Sequence, residues 1–435
     1  MLRASPYDRE IAALAIPALA TLVAEPLYVL ADTAVVGRLG TTELAGLAVA
    51  SSILLLINAV FVFLAYGTTG TVARLVGAGR PRDALEHTVA SVWVAAGAGT
   101  LVAAVLFVLA PEALRLLGAE GAVAEQGLIY LRESLPGVPF LLINLAAVGY
   151  LRGMQDTRTP LIITAVSAAA NLVIELVLIF GLGYGIGASA LATVLAQMGA
   201  TAAYLRPLLT EAKGRSVPLR PHGAAALGLA RDGVALVVRS TALRGALVLA
   251  TAAAARMGTA EVAAHQIAYE LWALAALTLD AVAIAGQALT GHHLGAGVVE
   301  KARGAAGRMI QIDIVVGVII GALLLAGSQV LPRIFTTDET VLDLAAFVLI
   351  WVAVQQPLNG LVFALDGILI GAGDLAWLAG AMVASAVLFA GTVWAIMQSD
   401  LGLGWLWAAI TLFLATRALA LVARYRSGAW LVTGA

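Results

Sequence analysis

The chain repeats itself at a fixed offset, and both copies are long apolar segments with a few charges embedded in them. Gly40-Thr41-Thr42-Glu43-Leu44-Ala45 is answered by Gly258-Thr259-Ala260-Glu261-Val262-Ala263, an offset of 218 residues. At the same offset Gly77-Ala78-Gly79 meets Gly295-Ala296-Gly297, Pro139 meets Pro357 and Gly149 meets Gly367. Leu151-Arg152-Gly153-Met154-Gln155-Asp156 likewise meets Leu369-Ile370-Gly371-Ala372-Gly373-Asp374, with no gap needed. A duplicated hydrophobic half implies two similar helical lobes around a central path, the build of a transporter. The expected lobes are 1–215 and 216–435.

Composition sets the solvent. The chain is 61% hydrophobic and 12% charged, about half the charged fraction of a soluble domain. Such a surface calls for a bilayer. A helix needs about 20 apolar residues to cross the hydrocarbon. Twelve segments qualify: roughly 11–36, 46–68, 88–110, 124–149, 160–180, 186–209, 232–255, 263–289, 309–331, 341–370, 375–397 and 404–424. Six fall in each half. No period-2 pattern dominates, so the fold class expected is an all-α integral membrane protein, two six-helix lobes related by pseudo-two-fold symmetry. The apolar run after residue 10 is longer than a signal-peptide core, so it is expected to be an uncleaved first helix.

With both termini inside, the inner loops and tails hold 18 of the 25 Lys and Arg, including Arg3, Arg152, Arg231 and Arg417. The outer loops hold Arg38, Arg115, Arg256 and Arg333. That asymmetry predicts cytoplasmic termini in a plasma (cytoplasmic) membrane. It argues against a nucleic-acid partner. There is no cysteine, which removes disulfides, thiol nucleophiles and Cys-ligated metals. The polar stretch Thr210–His222 reads as a linker. Pro17 and Pro26 lie in the first helix and predict a hinge, because proline brings no N–H and disfavours a straight helix. GLGYGIG at 181–187 lacks the strand–turn–helix setting of a phosphate loop.

A charge near the middle of a membrane helix costs about 2.5–3.5 kcal/mol, so each one kept there must face protein or water. Tyr28 and Asp32 are four apart and share a helix face, as do Asn171 and Glu175. Glu25, seven residues before Asp32, lies on the same side. Thr193 and Tyr130 add hydroxyls in the same half. Two carboxylates with amide and hydroxyl partners can hold a proton or coordinate a small hard cation. In the second half Glu270, Asp280 and Gln287 lie on the eighth segment. Gln355, Asn359 and Asp366 fall within about 40° of one another on the tenth. Arg239 and Arg244 are expected to pair with Asp280, Asp366 or Glu270, since an unpaired buried charge is costly. The charges are not duplicated: Asp32 aligns with Ala250, and Asp280 with Val62.

Other polar groups have simpler readings. Arg132, Glu133 and Asp313 are expected near helix ends, reaching the interface. The five histidines are expected in loops or at helix ends, with His292-His293 solvated. Asp156 and Asp374 are expected to cap the helices that follow them.

The run Pro26–Gly40, PLYVLADTAVVGRLG, resembles the first-helix signature of the multidrug and toxic compound extrusion (MATE) family. Leu151–Thr157 resembles the family's inner turn after helix four. AAHQIAYELWALAALTLDAVAIAGQ at 263–287 is most similar to the DinF-type branch. The resemblance spans essentially the whole chain and implies twelve helices in two lobes enclosing a V-shaped cavity. It implies export of amphipathic or cationic organic compounds in exchange for protons or sodium. Asp32 matches the branch's central first-helix aspartate, and Tyr28, Asn171, Glu175, Thr193 and Tyr130 match its neighbours. Many members carry Asp where this chain has Glu175. Members of the NorM-type branch carry an acid on helix seven, where this chain has Arg239 and Arg244.

The function expected is therefore a secondary antiporter and not an enzyme. Its proton or cation site is Asp32, Glu175, Asn171, Tyr28 and Thr193, with Na⁺ possible at Asp32, Asn171, Glu175 and Thr193. Its substrate cavity draws on Tyr130, Arg239, Glu270, Asp280, Gln287, Asn359 and Asp366. No cofactor or structural metal is expected beyond H⁺ or Na⁺ as coupling ion. The partners are a small organic substrate and membrane lipid, and a monomer is expected. The alternative is a flippase for a lipid-linked precursor in the same superfamily. A polytopic lipid-modifying enzyme is disfavoured because no Asp-x-x-x-Asp metal motif stands at an inner helix end.

Overall fold

The computed structural model describes residues 5–220, 223–399 and 401–434, apart from the side chains of 223–232. Arg3, the Arg231 side chain and the linker's Pro221 and His222 lie outside the described residues. The described chain is helical: α1 Asp8–Val36, α2 Thr41–Phe61, α3 Phe63–Gly77, α4 Pro81–Leu116, α5 Gly121–Ser134, α6 Val138–Gly153, α7 Arg158–Leu176, α8 Gly187–Gly214, α9 Gly223–Met257, α10 Thr259–Gly295, α11 Val299–Ala326, α12 Glu339–Gly371, α13 Leu375–Met397 and α14 Leu403–Ser427. Taking α2 with α3 and α5 with α6, these make twelve stretches long and apolar enough to cross a membrane, one for each segment expected. Large apolar side chains such as Leu101, Val108, Leu323, Val387 and Leu419 face outward. That placement is stable only where the surroundings are hydrocarbon.

The repeat is geometric as well as sequential. Thr41–Gly77 and Thr259–Gly295 are matched spans, as are Gly121–Gly153 and Glu339–Gly371. The first-half copies are interrupted where the second-half copies run on. Between α5 and α6 the cause is local: Leu135–Gly137 forms a 3-10 turn containing Pro136, whose counterpart in α12 is Val354. Close helix contacts repeat too. A Cβ on Gly149 would lie 2.6 Å from the carbonyl oxygen of Ala65, and one on Gly367 would lie 2.3 Å from that of Ala283. Gly153 meets the Thr69 carbonyl as Gly371 meets that of Gln287. Gly99 abuts Pro139 as Gly317 abuts Pro357. These small residues let backbones touch, which is how membrane helices associate without a hydrophobic drive between them.

The contacts define two compact units: Ala20–Gly233, and Met1–Leu19 with Val234–Ala435. This division differs from lobes bounded at 215. The chain changes unit inside α1, between Pro17 and Pro26, although α1 is one unbroken helix. The start of α1 is tied to α11 by Arg308, which donates to both oxygens of Asp8 at 2.5 and 2.9 Å. The core of the first unit includes Leu64, Leu131, Leu135 and Leu142. That of the second includes Val348, Leu349, Phe389, Leu406 and Trp407.

Several polar groups sit elsewhere than expected. Asp313 is fully buried, midway along α11, not at an interface. Its place in the helix follows from α11 beginning at Val299, ten residues before the apolar window at 309. Arg417 is not part of a cytoplasmic tail; it is buried within α14. His265 is buried in α10, its Nε2 3.2 Å from the Thr251 hydroxyl and its ring against Trp407. Asp156 does cap: its Oδ1 accepts from the amides of Arg158 and Thr159 at 3.0 and 2.9 Å. Asp374 does not, because Arg424 takes its carboxylate at 2.5 and 3.2 Å.

Candidate ion-binding site

Within the unit Ala20–Gly233, three helices bring one polar cluster together. Helix α1 supplies Tyr28 and Asp32, one turn apart. Helix α7 supplies Asn171 and Glu175 with the same spacing. Helix α8 supplies Ser189 and Thr193, again four apart, so each pair shares a face. The Asn171 amide donates to the Tyr28 oxygen at 3.3 Å and to the Thr193 hydroxyl at 3.1 Å. Tyr28 and Thr193 are themselves 2.7 Å apart, and the Thr193 hydroxyl donates to the Ser189 carbonyl at 3.0 Å. The Ser189 hydroxyl donates to Asp32 Oδ1.

The two acids define the chemistry. Asp32 is 6% exposed and Glu175 is 0% exposed. Glu175 is faced by the Asp32 carboxyl and by the Ser189 hydroxyl. Among the described residues neither acid is ion-paired to Lys, Arg or His. Two carboxylates side by side in low dielectric cannot both stay charged without a proton or a cation between them. Among the described residues, the Glu175 oxygens and Asn171 Oδ1 are buried acceptors that no donor meets in good hydrogen-bond geometry. The arrangement is thus rich in oxygen and short of positive charge, as a site for H⁺ or a hard monovalent cation must be.

Tyr130 lies beside this cluster, faced by the Ser189 and Ser51 hydroxyls. Two cavities open next to it. One, of about 310 Å³, is lined by Tyr28, Asn171, Thr193, Arg152, Tyr204 and Glu25 among others. The second, of about 280 Å³, reaches Asp32, Tyr130 and Ser51. Glu25 lies at both and accepts from the Asn58 amide at 3.1 Å. Sequence reasoning overlooked Ser189, although its spacing from Thr193 was a usable signal. Ser51 and Asn58 carried none.

The second half's candidates do not form one cluster of the same kind. Arg239 donates to Asp366 Oδ2 at 2.7 Å, and Arg417 reaches the same oxygen from α14. Arg244 is exposed. Glu270 is also exposed and accepts from Gln266, one turn away, at 2.8 Å. Gln287 and Asn359 are buried, and Asp280 is half-buried. Arg417 was missed because a lone arginine near the chain's end reads as tail.

A duplicated twelve-span helical bundle with ionisable groups held inside it is a membrane transporter. The chain belongs to the MATE family: the family model described as MatE matches residues 17–177 and 241–393. It is similar to Protein DETOXIFICATION 44, chloroplastic, of Arabidopsis thaliana, with 34% identity over 97% of this chain and 83% of that one. It is similar to DNA damage-inducible protein F of Escherichia coli K12, with 30% identity over 97% and 94%. Among solved structures, a MOP superfamily transporter from Pyrococcus furiosus superposes with a TM-score of 0.88 at 22% identity, covering 98% of this chain and 96% of that one. Members of the family extrude small organic and toxic compounds, and they are transporters rather than enzymes.

Proposed function

We propose that the protein is a secondary antiporter of the cytoplasmic membrane, with both termini inside, working as a monomer. It exports amphipathic or cationic organic compounds in exchange for protons, with sodium as the competing coupling ion. The observation that carries this reading is the Asp32–Glu175 pair, buried together with no basic partner among the described residues. Charge placed on that pair from one side of the membrane and released to the other would bias two conformations of the first half. Ser189 holds Asp32 in place, and Tyr28, Asn171 and Thr193 form a hydrogen-bonded network that joins Ser189 beside the pair. The change of unit between Pro17 and Pro26 supports α1 as the element that flexes. Lobes 1–215 and 216–435 would then rock against each other. Sodium, if it is the ion, would bind at Asp32, Asn171, Glu175 and Thr193.

The test is transport in sealed proteoliposomes with pH and sodium gradients imposed separately. Asp32→Asn should abolish gradient-driven export of fluorescent organic cations while the purified protein still folds. Export by that variant at the wild-type rate would refute the mechanism.

One observation favours the flippase reading: two guanidinium groups, Arg239 and Arg417, converge on the single carboxylate of Asp366. Guanidinium groups gathered in this way suit a phosphate-bearing lipid. Binding of an anionic headgroup that is lost in Arg239→Ala would favour this alternative.

A further inference from the structure

A second acid pair lies in the other unit. Asp313 is fully buried on α11, and among the described residues both of its carboxylate oxygens lack a hydrogen-bond partner. Among the described residues, Asp280, half-buried on α10, is a charged group that faces it. Among the described residues no Lys, Arg or His forms an ion pair with Asp313. The surroundings have the same bias. Among the described residues, Gln356 Oε1 and Asn359 Oδ1 on α12 are buried acceptors with no hydrogen-bond partner.

The packing sets Asp313, Gln356 and Asn359 at neighbouring levels and Asp280 about one turn beyond them, whereas Gln287, beside Gly371, lies about three turns along α12 from Gly360. On α11, Asp313, Gly317 and Gly321 recur every four residues and share a face. That face meets α12: a Cβ on Gly360 would lie 2.2 Å from the Asp313 carbonyl, and one on Gly317 would lie 2.4 Å from that of Gln356. Helix α10 meets α12 two turns further on, where Gly367 touches the Ala283 carbonyl. Asp280 precedes Ala283 by about one turn. Buried acceptors without a donor on α11 and α12 are costly unless positive charge joins them. Among the described residues, the unit's buried arginines, Arg239 and Arg417, are engaged by Asp366.

We propose that Asp313, faced by Asp280, is a second ion-coupling site, taking a proton or a small monovalent cation in the half that lacks a copy of Asp32. The inference rests on the antiporter reading. It makes the transport cycle carry one more positive charge than the Asp32–Glu175 pair alone would carry. The two sites are not repeats of each other, since Asp313 aligns with Ala95.

The experiment measures limiting substrate accumulation in proteoliposomes with the membrane potential clamped at zero. Each coupled proton multiplies that limit about tenfold per imposed pH unit, since one pH unit is worth about 1.4 kcal/mol. Asp313→Asn should lower the limit by about tenfold per unit, or collapse it. If the ion is sodium, the same loss appears with a sodium gradient and not with a pH gradient. Infrared difference spectra of the purified protein give a second readout: Asp313→Asn should remove one carboxyl band that responds to pH or sodium, and Asp32→Asn a different one. Should Asp313→Asn not fold, Asp280→Asn is used, and the Asp313 band should move in its titration. An unchanged accumulation limit, or an Asp313 band that stays protonated at every pH and sodium concentration, overturns the proposal. Loss of transport in Asp32→Asn alongside that result leaves the antiporter reading standing. Unimpaired transport in Asp32→Asn is the separate failure of that reading.

Discussion

Arg417 reaches Asp366 across α14 and α12, and both side chains are about 95% enclosed. Arg239 holds the same carboxylate oxygen from α9. Removing one partner of a buried pair leaves a stranded charge, at a cost of roughly 3–5 kcal/mol. Asp366→Ala takes the carboxylate away from two guanidinium groups at once, whereas Arg417→Ala leaves Asp366 still paired with Arg239. Thermal unfolding in detergent should therefore rank Asp366→Ala as the more damaging change. Equal midpoints for the two variants would contradict this geometry.

Gln155 sits in left-handed backbone at φ 63°, and its repeat counterpart Gly373 sits at φ 74°. A side chain pays about 1–2 kcal/mol there, and glycine's greater unfolded freedom offsets part of the relief. Gln155→Gly is expected to stabilise the protein by up to about 1 kcal/mol. Gly373→Ala should destabilise it. A chemical-denaturation series on both variants checks the pair of signs.

The duplicated contacts make a second stability prediction. Gly149→Ala and Gly367→Ala each push a methyl group into a carbonyl of the facing helix, and such overpacking costs about 1–3 kcal/mol. Beyond the backbone of its own helix and its chain neighbours, Gly97 in α4 has no atom of the described residues within 4 Å of where its Cβ would stand. Gly97→Ala should be neutral or stabilising by about 0.5–1 kcal/mol. Melting temperatures of the three variants, side by side, distinguish close packing from helix propensity.

Asn171→Leu removes the amide that joins Tyr28 to Thr193. Losing bonds of this kind costs on the order of 1–1.5 kcal/mol, enough to slow coupled export by about tenfold while Asp32 and Glu175 remain. Initial export rates in vesicles should fall without a change in the amount of inserted protein. Wild-type rates in this variant would remove Asn171 from the site.

The twelve spans were legible because crossing length and hydropathy are local properties, as was the repeat, whose matched glycines turned out to make matched contacts. The Tyr28–Asp32 and Asn171–Glu175 pairs were legible because spacing of four fixes a shared face within one helix. Glu25 gave a weaker signal: it stands on α1's surface and meets Asn58 of α2, a partner its own helix does not announce. Asp374 carried the same inner-turn signature as Asp156, yet Arg424 from α14 draws it away from capping.

The sequence by itself determined that this chain crosses a bilayer in two related halves, since solvent preference and helical period act through neighbouring residues. It also determined that certain acids would be held inside. Only the tertiary structure decided which groups those acids would meet: Ser189 for Asp32, Arg417 beside Arg239 for Asp366, and Asp280 for Asp313. The reason is physical. A side chain's burial and partner depend on which helices pack together and at what level, and that choice is made by contacts between segments far apart in the chain.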